Sequence, residues 1–317
     1  MKNAVCLQNG LKRTGNVLSL VFRRALLIGS CFTILYPLIV MFSRALMSKD
    51  DIFSNAVLLI PASPTLQNIR YAMQTMDYWT SLRHTLWYAL STTVLQTLSC
   101  MAAGYGFARF RFRGSRLLFA LVAFTIVIPP QLIMVPLYMH FQYFDFFGLF
   151  GAMGLTVPNL LDTYTPFYLL SAGCMGIKNG IFVYMFRQYF RGVPRETEEA
   201  AWVDGAGPFR IFTRVMVPSA VTMIVTVALF SFVWQYNDTT YTNLFLKSDR
   251  VLSMTYSSLG NFIWSGAAEG AAYLSTEEYI AVLKSTGVLL MLLPLLVFYT
   301  VLQRFFVDGI ERSGIVG

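Results

Sequence analysis

His140 and Asp145 are the first residues whose types and spacing suggest chemistry. A histidine base held by an aspartate can assist an alcohol in attacking a thioester. No companion motif for that reaction accompanies the pair. No GxxxxGK[ST] run occurs either, so the chain lacks a phosphate-binding loop for ATP. Cys6, Cys31, Cys100 and Cys174 form no CxxC or CxxH pair, which argues against a zinc site and against a disulfide framework.

A different kind of chemistry is written at 187–210, which reads RQYFRGVPRETEEAAWVDGAGPFR. The stretch describes a short surface helix. Pro194 suits a first helical turn. Glu196, Glu198 and Glu199 put negative charge near the positive helix end. Ala200 and Ala201 are small, strong helix formers. Gly205 suits a left-handed terminating residue. Gly207-Pro208 then breaks direction, with Pro208 opening the next helix. The result is a compact knob that another protein's surface can approach closely. Glu199 and Asp204 offer ion-pairing groups at its ends.

The elements that position this knob follow from composition. The chain has 317 residues, of which 56% are hydrophobic and 13% charged. A soluble domain carries about 25% charged residues, so too few charges remain to wet the surface of so large a core. Lipid as outer solvent removes the conflict. A spanning helix needs about 20 mostly apolar residues. Six stretches qualify, at 25–42, 85–107, 117–137, 163–186, 211–234 and 280–301. Gly173, Gly176, Lys178, Asn179 and Gly180 interrupt the fourth, which predicts a broken helix there. Arg23 and Arg24 precede a first run longer than a signal-peptide core. The Ser43-Arg44-Ala45 triplet loosely resembles a cleavage site, yet run length favours a retained anchor.

Orientation follows from basic residues in the connections. With the N-terminus inside, most of the 24 lysines and arginines fall in inner segments, including Arg109, Arg111, Arg113, Arg116, Arg187, Arg191 and Arg195. Both termini are therefore expected in the cytoplasm. The net charge of +8 is explained by these clusters and does not indicate nucleic acid. The expected organisation is a cytoplasmic segment at 1–24, a six-helix membrane domain at 25–301 and a cytoplasmic tail at 302–317. Trp79 and Trp264 suit the lipid interface of the long outer connections.

The knob resembles a family signature. Glu199-Ala200-Ala201, then Gly205, then Val215-x-Val217-Pro218 is similar to the EAA signature of binding-protein-dependent ABC permeases, with valines at its two aliphatic positions. Asp204-Gly205-Ala206 fits its fuller form. The resemblance covers nearly the whole chain and narrows to the maltose-permease-like, sugar-uptake group. The run Tyr105-Gly106-Phe107-Ala108-Arg109-Phe110-Arg111-Phe112-Arg113-Gly114 looks like that group's AYALARFRFRG element. Pro129-Pro130-Gln131, Pro136-Leu137-Tyr138, Trp234-Gln235-Tyr236-Asn237-Asp238 and Gln303-Arg304-Phe305-Phe306 are similar to further elements, as are the closing Gly309, Gly314 and Gly317.

The resemblance implies an all-α, six-span permease of the type I ABC importer fold in a bacterial cell membrane. It implies a second permease subunit, a dimer of cytoplasmic ABC ATPase and an extracytoplasmic sugar-binding protein. The chain itself then holds no cofactor, because ATP is bound by the partner. Glu199, Ala200, Ala201, Asp204 and Gly205 become the residues that couple to the ATPase.

Other residues have plainer readings beside functional ones. Lys178 falls within a span and either lines the translocation path or pairs and snorkels. Asn237 and Asp238 either meet sugar hydroxyls or cap a helix end. The RFRFRG cluster reads as a lipid-headgroup anchor or a contact to the ATPase. The aromatic stretch 138–150 reads as interfacial packing or a sugar platform. Two rival functions remain: a membrane acyltransferase using His140 and Asp145, and an ion-coupled secondary transporter. The first would work on the outer face, away from cytosolic acyl donors. The second has few intramembrane carboxylates to relay protons.

Overall fold

The computed structural model describes residues 2–54, 59–145, 148–154, 156–247, 251–256, 259 and 276–314; side chains are described for these except 2–18, 302 and 304–314. Trp264 and Gly317 lie outside the described residues, as do parts of the 138–150 and outer-loop stretches. All regular structure among the described residues is helical. The chain divides into two compact units, residues 1–75 with 259–290, and residues 76–258 with 291–317.

The first unit holds α1 (Lys2–Leu46), α2 (Lys49–Ile52) and α3 (Gln67–Thr75). The expected first span lies inside α1, which starts far earlier than that span. Leu27, Ile28, Phe32 and Ile34 leave its apolar surface open, as a lipid solvent allows. Ser48 and Asp51 form a capping box at α2. Asn68 of α3 donates from Nδ2 to the Met47 carbonyl at 2.7 Å, and Tyr279 donates its hydroxyl to Asn68 Oδ1 at 3.2 Å.

The second unit is built on α4 (Tyr78–Arg109). Around it come α5 (Ser115–Val127), α6 (Met134–Gln142), α7 (Leu149–Ala152), α8 (Thr165–Ala172) and α9 (Asn179–Gly192). Next are α10 (Glu196–Val203), α11 (Pro208–Ile211), α12 (Val217–Ser219), α13 (Val221–Tyr236) and α14 (Thr240–Phe245). The last helix, α15 (Glu277–Gly314), begins in the first unit and ends in the second.

Helix α4 carries the expected second span but is not uniformly apolar. Thr85, Thr92, Thr93, Gln96 and Thr97 are buried along it, so its polar residues turn inward. Glycines bring neighbours close. A Cβ at Gly104 would stand 2.5 Å from Phe186 Cβ and 3.0 Å from the Arg187 nitrogen of α9. A Cβ at Gly180 would stand 2.9 Å from the Val122 carbonyl of α5. Small residues at such crossings let membrane helices pack backbone to backbone. Cys100, Met101, Phe182, Phe186, Phe190 and Met216 form the core at this junction.

Three expected spans differ from straight helices. The third splits at Ile128, which is extended before Pro129-Pro130, and resumes as α6 after a turn at Pro130–Leu132. A proline disfavours helical geometry in the residue before it. The fourth is broken between α8 and α9 as expected, with Cys174 at φ 56° and Lys178 at φ 59°. The fifth is two helices. Pro208–Ser219 and Val221–Tyr236 meet at a bend of 76°. Pro218 removes a helical donor and a π turn at Phe212–Met216 precedes it, both recognised sources of bends. By length and composition, Ser19–Leu46 and Glu277–Val301 can each cross a membrane, and the bent pair makes a third if it is one span.

Candidate functional site

The knob forms as a helix, α10, between α9 and α11. It starts at Glu196 after Arg195, so Pro194 precedes the helix and does not occupy its first turn. The three glutamates lie in that turn as expected. At the other end Gly205 has φ 79°. The Ala206 amide then reaches back to the Ala201 carbonyl at 3.0 Å, which closes the helix in the left-handed manner expected of glycine. Gly207 precedes Pro208, which opens α11.

Burial divides the motif. Ala201 and Ala206 pack against the core. Glu199, Ala200, Asp204 and Gly205 point away from it and are exposed. Trp202, Val203 and Phe209 are exposed beside them, at 62%, 88% and 79%. These large apolar side chains form an exposed cluster around a short helix. Gly205 Cβ would meet nothing within 4 Å inside this chain.

A fastening absent from the sequence expectations holds the knob in place. Arg109, the last residue of α4, places Nε 3.1 Å from Glu198 Oε1, with the two side chains only 7% and 16% exposed. Its Nη2 donates to the Val193 carbonyl at 2.7 Å. Arg109 thus joins α4 to both the start of α10 and the turn before it. Glu198 makes the ion pair, whereas Glu199 faces outward. The neighbouring Arg187 guanidinium lies 3.8 Å from the Phe119 ring centroid. The basic cluster after α4 therefore includes an internal strut in addition to its exposed residues Arg111 and Arg113. Only tertiary proximity reveals it, since Arg109 and Glu198 lie far apart in the chain.

The remaining candidates do not gather into one site. Lys178 caps α9 and holds Nζ 5.6 Å from the Trp234 ring centroid. It lines a cavity of about 260 Å³ with Thr125, Ile128, Met175 and Tyr241 among others. Neither Asn237 nor Asp238 lines that cavity. Asn237 donates from Nδ2 to the Val233 carbonyl at 2.9 Å. Asp238 accepts from the Thr240, Tyr241 and Thr242 amides at 3.1, 3.2 and 2.9 Å, capping α14. Burial pushes its carboxyl up to about 6, against the lowering effect of those amides.

His140 and Asp145 are not joined by any hydrogen bond among the described residues. The Asp145 carboxylate accepts from the Phe150 and Gly151 amides at 2.8 and 3.1 Å and so caps α7. His140 makes edge contacts with Phe141 and Phe144. Phe141 in turn packs on Phe144 and Phe245, so these residues of the aromatic stretch are engaged in internal packing, whereas Tyr143 is exposed. No cluster of three histidine, cysteine or acidic residues suited to a metal occurs among the described residues.

An exposed, core-anchored knob between helical segments is the feature that the comparisons with known proteins bear on. Residues 96–312 match the family described as the binding-protein-dependent transport system inner membrane component, and the chain belongs to that family. It is 25% identical over 292 residues to an arabinooligosaccharide transport system permease of Halalkalibacterium halodurans, covering 90% of this chain and 92% of that one. It is 27% identical over 301 residues to an sn-glycerol-3-phosphate transport system permease of Escherichia coli, covering 92% and 96%. An alpha-glucoside transport system permease of Rhizobium meliloti is 27% identical over 257 residues, covering 81% of this chain and 62% of that one. The fold is shared with a chain from the crystal structure of a bacterial ABC transporter involved in import of the acidic polysaccharide alginate. That likeness has a TM-score of 0.71 at 21% identity and covers 90% of this chain and 95% of the other.

Proposed function

We propose that this chain is the permease subunit of an ATP-driven importer for a sugar or oligosaccharide and converts a partner's ATP hydrolysis into alternating access. The observation that carries this reading is the outward face of α10. It exposes Glu199, Ala200, Asp204, Gly205 and Trp202 while Ala201 and the Arg109–Glu198 pair fasten its inner side. A part built this way accepts a push from outside and delivers it to α4, α9 and α11. The push comes from a dimer of ABC ATPase docked on 187–210, with Ala201 as the packed base of the knob. A second permease subunit completes the membrane passage, and an extracytoplasmic binding protein delivers the solute. The chain performs no catalysis and holds no cofactor of its own, because nucleotide stays on the ATPase. It crosses the plasma membrane several times with both termini in the cytoplasm. Its parts are the segment 1–24, the six-span domain 25–301 and the tail 302–317.

The sugar assignment is supported by the names of the similar permeases, which transport arabinooligosaccharides and alpha-glucosides. Lys178 is assigned to the translocation path, while Asn237 and Asp238, both engaged in local helix-end bonds, are assigned at most to its outer rim. Lys178 fits best, since it lines the cavity at the break. The test is a cysteine at Asp204 combined with crosslinking in membranes. Capture of the nucleotide-hydrolysing subunit is expected, together with loss of uptake in Gly205→Trp at normal abundance. Normal uptake by that variant, with no captured ATPase, ends the reading.

A further inference from the structure

A buried polar cluster crosses the middle of the second unit, away from the knob. Gln96 of α4 is its centre and is fully buried. Its Nε2 donates to the Ile177 carbonyl at 2.6 Å and meets the Asn179 amide. Its Oε1 accepts from Ser231 Oγ, and from Gln235 Nε2 at 3.3 Å. Tyr88 closes the cluster by donating to Gln235 Oε1 at 2.7 Å. Tyr88, Asn179, Ser231 and Gln235 are each no more than 3% exposed.

The placement of its partners gives this cluster meaning beyond adhesion. Ile177 lies in the break between α8 and α9, flanked by left-handed Cys174 and Lys178. A break strands backbone carbonyls that lipid cannot satisfy, and Gln96 satisfies one of them. Asn179 begins α9, which runs into α10. Ser231 and Gln235 lie on α13, which follows the bend after α12. Gln96 therefore grips α9, which leads into the knob, and α13, which follows it beyond the bend. The far side of the same break faces the cavity, lined by Cys174, Met175 and Lys178.

We infer that Gln96 is a positioning residue for transport: it ties the cavity wall at 174–179 to α13, so that a stroke delivered at α10 rearranges that wall. The inference rests on the coupling role proposed for α10. If α9 and α13 shift against α4, amides and hydroxyls must exchange partners where no water replaces them. Such a cluster favours discrete arrangements over gradual ones. An apolar residue at 96 leaves the packing but removes the tie.

Cys174 lines the cavity and serves as a native probe. The complete importer, in vesicles, carries this chain with Cys6→Ser and Cys31→Ser; Cys100 is fully buried. N-ethylmaleimide labelling of Cys174 is followed by mass spectrometry, nucleotide-free and after trapping with ATP and vanadate. With Gln96 present, the labelling rate is expected to change at least about fivefold between the two states. In Gln96→Leu that change collapses while ATP hydrolysis continues, and Gln96→Asn, which keeps a neutral amide donor, restores part of it. A merely structural role would lower abundance and leave the nucleotide dependence intact. An unchanged response in Gln96→Leu overturns the inference and spares the coupling role. No response with Gln96 present overturns both. If the leucine variant does not assemble, Ser231→Ala removes one hydroxyl and carries the same test with the same criteria.

Discussion

Helix α4 is fastened twice, by different chemistry at its end and in its middle. At the end, Arg109 uses charge to hold Glu198 and donates a guanidinium hydrogen bond to the Val193 carbonyl to hold the turn before α10. In the middle, about 20 Å away at 1.5 Å per residue, Gln96 uses neutral amide bonds to hold the break and α13. The difference follows the surroundings. The charged pair, though mostly covered, lies at a helix end beside exposed loop residues. In a span, neutral donors and acceptors satisfy the backbone without the desolvation penalty of ions. The end fastening therefore sets where the knob stands, and the middle one sets what its motion moves.

Breaking the end fastening has the largest expected effect. Arg109→Ala strands a mostly covered Glu198 and frees the Val193 carbonyl. Loss of one member of a covered ion pair costs about 3 kcal/mol or more. The expected readout is ATP hydrolysis no longer stimulated by the binding protein. The exchange Arg109→Glu with Glu198→Arg restores it in part, because the swap rebuilds the pair but not the bond to Val193. Stimulation that survives Arg109→Ala unchanged removes the strut from the mechanism.

Next comes the crossing that lies between the two fastenings. Gly104→Val places a Cβ against the Arg187 backbone and Phe186 Cβ, neither of which is the free end of a side chain. Overpacking of this kind costs about 1–3 kcal/mol. A lower melting temperature of the detergent-solubilised complex is expected, with both fastenings weakened together. Gly106→Ala, two residues on and open on that side, is the control that should melt normally.

The two fastenings were not equally legible. Capping residues, alanines and Gly205 act on their own helix, so a local reading recovers α10 and its left-handed end. Pro194 falls short of the helix because Val193 is extended and Arg195 takes the N-cap position. Arg109 and Gln96 act across long sequence separations, and neither residue type advertises a partner. Arg109 looked like one more headgroup anchor in a basic run, and Gln96 drew no reading at all. The broken fourth span was readable from its glycines. The bend in the fifth was written as Pro218, but a smooth apolar run hid its effect. Asp238 could be read as a cap or a path residue, and its three amide bonds show the cap.

That cap yields a pH test at the far end of α13. The Asp238 carboxyl stands at about 6 against an ordinary 3.8 because burial disfavours its charge. The folded state therefore holds the proton more tightly than the unfolded state. Stability from this residue is full below about 4 and falls as pH rises through about 6, by roughly 3 kcal/mol. Melting temperature should drop over that window, and Asp238→Asn should flatten the drop. A slope that persists in the variant assigns it to other groups.

The smallest effect separates two reasons for a glycine at 205. Its φ of 79° is a left-handed conformation, which costs an alanine about 1–2 kcal/mol. Asparagine tolerates that region better. Within the chain a Cβ there touches nothing, so folding alone asks only for the conformation. If conformation is the whole reason, Gly205→Asn should transport nearly as well as glycine and Gly205→Ala slightly worse. If an ATPase surface closes on this point, both variants lose uptake, and asparagine, being larger, loses more. Ranking the two by transport at equal abundance thus reads out whether the knob is touched, independently of any crosslinker.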